Sequence, residues 1–189
     1  SPAKDYGWRS VMGSTLAPHP DEVAHSDFII LWGTNALATN IHFLHGVRQA
    51  KQRGAKIWLI ETYQTPTADL ADRVILTRPG SDGALALAMM QTMVQAGKVN
   101  QDFIERYVHG FEQFRKQILP QYTPEMAQAI TGVPAEVIRE LAQAYAGAAA
   151  PFISLGSGLS RYANGAMTVR IITCLPAVTG AWQKPGGGV

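Results

Sequence analysis

Val74-Ile75-Leu76-Thr77-Arg78-Pro79-Gly80-Ser81-Asp82-Gly83-Ala84-Leu85 passes from an apolar strand straight into a long helix with a polar start. A strand whose carboxyl end runs into a helix N-terminus is a unit of the doubly wound α/β sheet, and it offers unpaired backbone N–H groups to a ligand. Ser81 is placed to cap the helix, Asp82 falls in its first turn, and Gly80 and Gly83 let the backbone bend and another surface approach. Two roles are open to that carboxylate. It stabilises its own helix dipole, or it accepts from a ligand presenting paired N–H donors, such as a guanine edge.

Working outward, Asp27-Phe28-Ile29-Ile30-Leu31-Trp32-Gly33 is a continuous apolar run ending in glycine, the pattern of a strand buried on both faces. A loop at Thr34 to Ala38 leads to a helix from about Thr39 or Asn40 to Arg53, with Ile41, Leu44, Val47 and Lys51 on one face and Gly54 as its stop. Ala55 to Glu61 is a second strand, the Thr- and Pro-rich Thr62 to Thr67 a loop, Ala68 to Ala71 a short turn and Asp72 to Thr77 a third strand. Helix Ser81 to Ala96 is dense in Ala, Leu and Met and therefore well buried. Residues 100 to 149 read as a helical insertion, with helices over Asp102 to Val108, Phe111 to Leu119, from Thr123-Pro124, and over Pro134 to Ala149. Pro151 to Leu155 is a fourth strand closed by Gly156-Ser157-Gly158, and Ala166 to Thr179 a final helix.

This alternation predicts a mostly parallel, doubly wound sheet of order 3-2-1-4 with helices on both faces. Residues 1–26 form a lead-in and 27–189 one α/β domain. The switch point then falls between strands one and four, so ligands are expected at the carboxyl ends of the strands. Gly33-Thr34-Asn35, Glu61, Asp82 and Gly156-Ser157-Gly158 all fall on that edge.

An apolar fraction of 47% lets the chain bury a full core. A net charge of +2, scattered along the chain, leaves no electrostatic footprint for nucleic acid. No window has the apolar length to cross a bilayer, so the chain reads as a soluble segment; its compartment, cytoplasmic or periplasmic in a bacterial-type cell, is left open. The single Cys174 excludes an intrachain disulfide or a cysteine-bound iron–sulfur cluster here and reads as core. Ser1-Pro2-Ala3 and the terminal Lys184 to Val189 loop look like cut ends, as expected of a piece of a longer parent.

Glu61 stands where a dinucleotide-binding sheet places an acid for ribose hydroxyls. Gly33-Thr34-Asn35-Ala36 has one glycine where G-x-G-x-x-G needs three, and Gly156 to Arg161 fails at the third, which disfavours an ordinary NAD domain. Acids after strands two and three suit a nucleotide laid across the edge, its ribose nearer Glu61 and its base nearer Asp82. Arg78 contacts a phosphate or pairs with a carboxylate. His42 and His45 share a helical face but lack a third ligand, so no metal site is assigned. Trp32 and Trp58 read as core filling, as does the Met89, Met90 and Met93 cluster. No Ser-His-Asp arrangement is formed, and no catalytic residue is assigned.

Taken in order, the motifs resemble the molybdopterin oxidoreductases of the dimethyl sulfoxide reductase type. They are Trp32-Gly33-Thr34-Asn35, Gly54-Ala55-Lys56, then Glu61 with Thr65 and Thr67-Ala68-Asp69-Leu70-Ala71-Asp72. Arg78 to Leu85, Thr131-Gly132-Val133-Pro134, Gly156-x-Gly158 with Asn164-Gly165, and Thr179-Gly180 leading to Lys184-Pro185-Gly186-Gly187-Gly188 follow. The resemblance runs from about Asp27 to Val189. It implies a domain that grips one of two molybdopterin guanine dinucleotides. Gly33 and Asn35 would hold the diphosphate side, Glu61 the guanosine ribose and Asp82 the guanine edge. Thr34, Thr62, Thr65, Arg78 and Gly80 would line the same cradle, and Gly156, Gly158, Ser160 and Arg161 would approach the pterin end. Glu61-Thr62-Tyr63 replaces the family's usual Asp-Pro-Arg, which removes an arginine from the phosphate side.

The resemblance further implies that molybdenum or tungsten, and any iron–sulfur cluster, are held by other parts of the parent, and that this segment alone is inert. The parent would transfer oxygen atoms or electrons to or from a small substrate such as formate, nitrate, a sulfoxide or thiosulfate. Its partners would be the remaining parent domains and an iron–sulfur electron-transfer subunit, with no nucleic acid and no direct membrane insertion. A non-catalytic nucleotide-binding domain and the central domain of a thiamine diphosphate enzyme are the competing readings.

Overall fold

The computed structural model describes Ser1–Val189. Four parallel strands, β1 (Phe28–Trp32), β2 (Lys56–Glu61), β3 (Arg73–Leu76) and β4 (Pro151–Leu155), lie in the order β3-β2-β1-β4, as the alternation predicts. The helices are α1 (Pro2–Met12), α2 (Ala36–Thr39), α3 (Ile41–Gln52), α4 (Asp82–Gln95), α5 (Gln101–Tyr107), α6 (Phe111–Gln113), α7 (Pro124–Thr131), α8 (Ala135–Gly147), α9 (Gly165–Thr173) and α10 (Leu175–Thr179). No helix is long and apolar enough to cross a membrane.

Period-two alternation along β1 divides the core between two layers. Ile29 and Leu31 join Leu44 and Val47 of α3 on one face. Phe28, Ile30 and Trp32 join Leu85 and Met89 of α4, Leu141 of α8 and Val169 of α9 on the other. β1 is buried along its whole length, as a central strand covered on both sides should be. In α4, Met89, Met90 and Met93 pack as core, as the composition predicts.

Several local expectations shift. Ile41, the first residue of α3, does not join its apolar face and is 63% exposed; Phe43, Leu44, Val47 and Ala50 form that face instead. Lys51 does cross its end, donating to the Leu70 carbonyl at 2.5 Å. The helix expected over Phe111 to Leu119 widens into a π turn at Phe114–Ile118, next to Pro120, which has no N–H to donate back into the helix. Pro176 likewise divides the final helix into α9 and α10. Cys174 falls at that break and is only partly buried; its thiol donates to the Arg170 carbonyl at 3.3 Å, and burial raises its pKa to about 11.

Both ends of the chain are structured. Gly188 bridges in parallel to Phe152, accepting from Ile153 N–H at 2.9 Å and donating to the Pro151 carbonyl at 3.0 Å, so the glycine-rich tail continues the sheet beyond β4 rather than ending as a free loop. The lead-in carries α1, which packs on α9. Trp8 of α1 is buried and meets Trp182 edge-on, ring centroids 6.5 Å apart.

Candidate functional site at the carboxyl edge of the sheet

The chain leaves the sheet at one edge through hydrogen bonds that continue the ladder. Gly33 N–H donates to the Ile60 carbonyl at 2.8 Å, Thr77 N–H to Glu61 at 2.9 Å and Gly156 N–H to Trp32 at 2.8 Å. This register brings the ends of all four strands together. Gly33 turns with φ 62°, a conformation that glycine adopts at little cost. Gly156 lies so close to it that a Cβ would overlap the Gly33 carbonyl oxygen. The β1 and β4 loops therefore touch at the switch point.

Asp82 is 2% exposed at the start of α4. Its Oδ1 accepts from the Trp32 indole Nε1–H at 2.9 Å, while Oδ2 is buried with no protein partner. Burial raises its pKa, opposed by the Trp32 donor and by its own backbone N–H. Glu61 is also buried, at the end of β2. Burial raises its pKa first, the Thr62 N–H opposes this through a 3.3 Å bond to Oε2, and the charge on Asp82 adds to the rise. The two acids thus sense one another across the ends of β2 and β3. Nearby in sequence, the hydroxyl of Thr65 is buried and has no partner. Unmatched buried polar atoms are costly in a finished core, but suit a surface that a polar ligand completes.

Ser81 does not cap α4 with its side chain. Its hydroxyl donates to the Arg78 carbonyl at 2.6 Å and shares a 2.8 Å bond with Thr77, closing the turn before the helix instead. Gly80 occupies that turn with φ 76°, and its carbonyl accepts from Asn164 Nδ2 at 2.9 Å, tying the β3 loop to the turn after β4. Arg78 pairs with no carboxylate: its Nη1 donates to the carbonyls of Ala129 at 2.6 Å and Ile130 at 3.3 Å, at the end of α7.

Asn35 is oriented by a residue that the loop reading leaves without a role. Thr67, fully buried, donates to Asn35 Oδ1 at 2.8 Å and accepts from Leu37 N–H at 3.2 Å. The amide donors of Asn35 stay free of protein acceptors. Thr34, Thr62 and Ser160 are half-buried, and Gly158 and Arg161 are exposed. His42 and His45 are exposed, and no three His, Cys, Asp or Glu side chains converge as a metal site. A cavity of about 1130 Å³ lies elsewhere, between α1, α9 and the helical insertion, and is lined by none of these edge residues. Chemistry rather than volume marks the edge. Asp82 Oδ2 and the Thr65 hydroxyl are unmatched there, whereas the cavity is mainly apolar, with the unpartnered Trp182 Nε1 in its wall.

A parallel sheet of order β3-β2-β1-β4 with helices on both faces is the doubly wound α/β architecture, whose ligand crevice lies at the carboxyl edge of the strands. The family model described as molybdopterin oxidoreductase matches residues 5–189, and the chain belongs to that family. It is similar to "Probable oxidoreductase YoaE" of Bacillus subtilis (strain 168), with 39% identity over 188 residues, covering 100% of this chain and 28% of that protein. It is 34% identical over 181 residues to formate dehydrogenase H of Escherichia coli (strain K12), covering 96% of this chain and 25% of that protein. The fold also matches acetylene hydratase from Pelobacter acetylenicus, with a TM-score of 0.86 at 24% identity, over 94% of this chain and 24% of that one. The chain spans about a quarter of the length of these relatives. Membership in the family removes the thiamine diphosphate reading.

Proposed function

We propose that this domain grips one molybdopterin guanine dinucleotide in a larger molybdenum or tungsten oxidoreductase, and that it is inert alone. The observation that carries the reading is the buried Asp82 carboxylate, with Oδ1 held by Trp32 and Oδ2 unmatched at a strand-end crevice. A carboxylate so fixed accepts two N–H donors side by side. Guanine presents such a pair and adenine does not, and a mismatch would leave buried polar groups unpaired.

Glu61 would accept from the ribose hydroxyls, with Thr62 and Thr65 beside it. Gly33, Thr34 and Asn35 would lie along the diphosphate, and Gly80 gives close access between Asp82 and the turn at Asn164. Gly156, Gly158, Ser160 and Arg161 would border the pterin end. Arg78 serves mainly to hold α7 against the β3 loop. When bound, the cofactor supplies two-electron chemistry at its metal; these residues hold and orient it and exclude competing bases. The reading extends to a parent acting on a small substrate of the formate, nitrate, sulfoxide or thiosulfate type, with an iron–sulfur subunit as its electron partner. It is supported by the resemblance of the motifs and by a relative named as a formate dehydrogenase.

The test is Asp82→Ala in the full-length protein, followed by acid release and quantification of bound guanine nucleotide. Loss of two charge-assisted hydrogen bonds is expected to lower nucleotide content by at least about tenfold. Unchanged content overturns the assignment.

A further inference from the structure

One further charged side chain reaches the same sheet edge, and it arrives from the lead-in. Gly7 of α1 has no Cβ, and one placed there would overlap the Ala166 carbonyl oxygen, so α1 lies flush against α9. Lys4 precedes Gly7 by three residues and so shares its helix face. From there its Nζ donates to the carbonyl of Leu155, the last residue of β4, at 2.9 Å. Leu155 leads directly into Gly156, which presses on Gly33. The ammonium therefore stands beside the crevice between β1 and β4. Ser1 Oγ donates to Ser160 Oγ at 2.8 Å and fixes the start of α1 beside the turn that carries Arg161.

A lysine with a purely structural role at such a place is ordinarily matched by a carboxylate. Lys4 is half-buried and forms no ion pair, and burial lowers its pKa. An ammonium has three N–H donors, and the protein accepts from one of them. The carboxylates of the edge, Glu61 and Asp82, stand at β2 and β3, on the other side of the central strand from β4.

We infer that Lys4 is an anion-binding residue of this edge, its ammonium donating to a phosphate oxygen of the ligand at the β1–β4 crevice. The inference rests on reading the edge as a dinucleotide cradle, and it divides that cradle into an acidic end for base and ribose and a cationic end where the diphosphate meets the pterin.

Two measurements on the full-length protein test it. Without any substitution, acetylation of Lys4 by acetic anhydride, followed by mass spectrometry, is expected to be about tenfold slower in cofactor-loaded than in cofactor-free protein. Equal rates overturn the inference. In the second, Lys4→Met and Lys4→Arg are compared for guanine nucleotide retained through gel filtration at raised ionic strength. Lys4→Met is expected to retain about a tenth of the wild-type content and Lys4→Arg most of it. Wild-type retention by Lys4→Met overturns the role of Lys4. Asp82→Ala in the same assay separates the two claims. Loss there with retention by Lys4→Met removes only Lys4, whereas loss by Lys4→Met with retention by Asp82→Ala keeps the cation and removes the base assignment.

Discussion

The two halves of the sheet's carboxyl edge are built from the same parts, strand ends and tight turns, yet they carry opposite charge and are held in different ways. Over β2 and β3 stand Glu61 and Asp82, buried acids whose pKa values burial raises, with Asp82 adding to the rise at Glu61, held by the Trp32 indole and the Thr62 N–H. Over β1 and β4 stand Lys4 and Arg161 beside two loops in backbone contact. The acidic half is fixed by side-chain hydrogen bonds, and the cationic half by shape, through Gly33, Gly156 and Gly7. A hydrogen bond is lost by deleting its donor, whereas a shape-fixed turn fails when a methyl group is added.

The largest effect should come from breaking the shape-fixed half. Gly156 has φ −73° and ψ 152°, which alanine adopts without strain, so Gly156→Ala isolates the steric clash with the Gly33 carbonyl. It is expected to cost about 3 kcal/mol, read as a lowered unfolding midpoint of the full-length protein. A wild-type midpoint would show that the β1 and β4 loops separate freely. A smaller loss is expected in the acidic half from Trp32→Phe, which keeps most of the packing and removes the donor to Asp82 Oδ1. Leaving a buried carboxylate unmatched should cost about 1–3 kcal/mol in the same measurement. No change there would mean that the indole serves only as core.

The smallest effect is a slope. In the cofactor-free protein Glu61 and Asp82 have pKa values raised above those of the unfolded chain. Between the two sets of values the folded state binds more protons, so the pair's contribution to stability worsens as pH rises from the ordinary carboxylate range, about 4, toward neutrality. Below that range the penalty is absent. Asp82→Asn removes one of the two titrations and the repulsion between them. The fall in its melting midpoint between acidic and neutral pH should therefore be shallower than in the wild type. An equal or steeper fall would show that Asp82 adds no raised titration in the folded protein.

Much of this arrangement was legible in the sequence. A continuous apolar run marks β1 as a strand covered on both faces, Pro151 to Leu155 reads as the fourth strand, and the turn into α4 places Asp82 at a strand-end helix start. Prolines mark the helix starts at Pro124 and near Pro134, and Pro120 stands just past the helix expected to end at Leu119, whereas Pro176, which divides the final helix, lies inside the single helix expected over Ala166 to Thr179. Trp32 was legible as core but not as the partner of Asp82, since nothing in period-two burial tells which way an indole N–H points. Ser81 has the ideal residue type for a cap, but the Thr77 hydroxyl and the Arg78 carbonyl compete for its side chain. The bond from Thr67 to Asn35 and that from Lys4 to Leu155 are not legible locally, because the partners lie 32 and 151 residues away.

By itself the sequence determined what depends on neighbours along the chain: strand and helix order, the parallel 3-2-1-4 sheet, and the edge where carboxylates and glycines collect. Propensity, burial period and proline or glycine chemistry act over a few residues, and crossover handedness then leaves few ways to stack the elements. Only the tertiary structure decided which polar groups on that edge are already satisfied and which remain open, because hydrogen bonding depends on atoms that meet only after the layers have packed. That packing matched Asp82 on one oxygen and left the other bare, and it carried Lys4 from the far end of the chain to the carbonyl that closes β4.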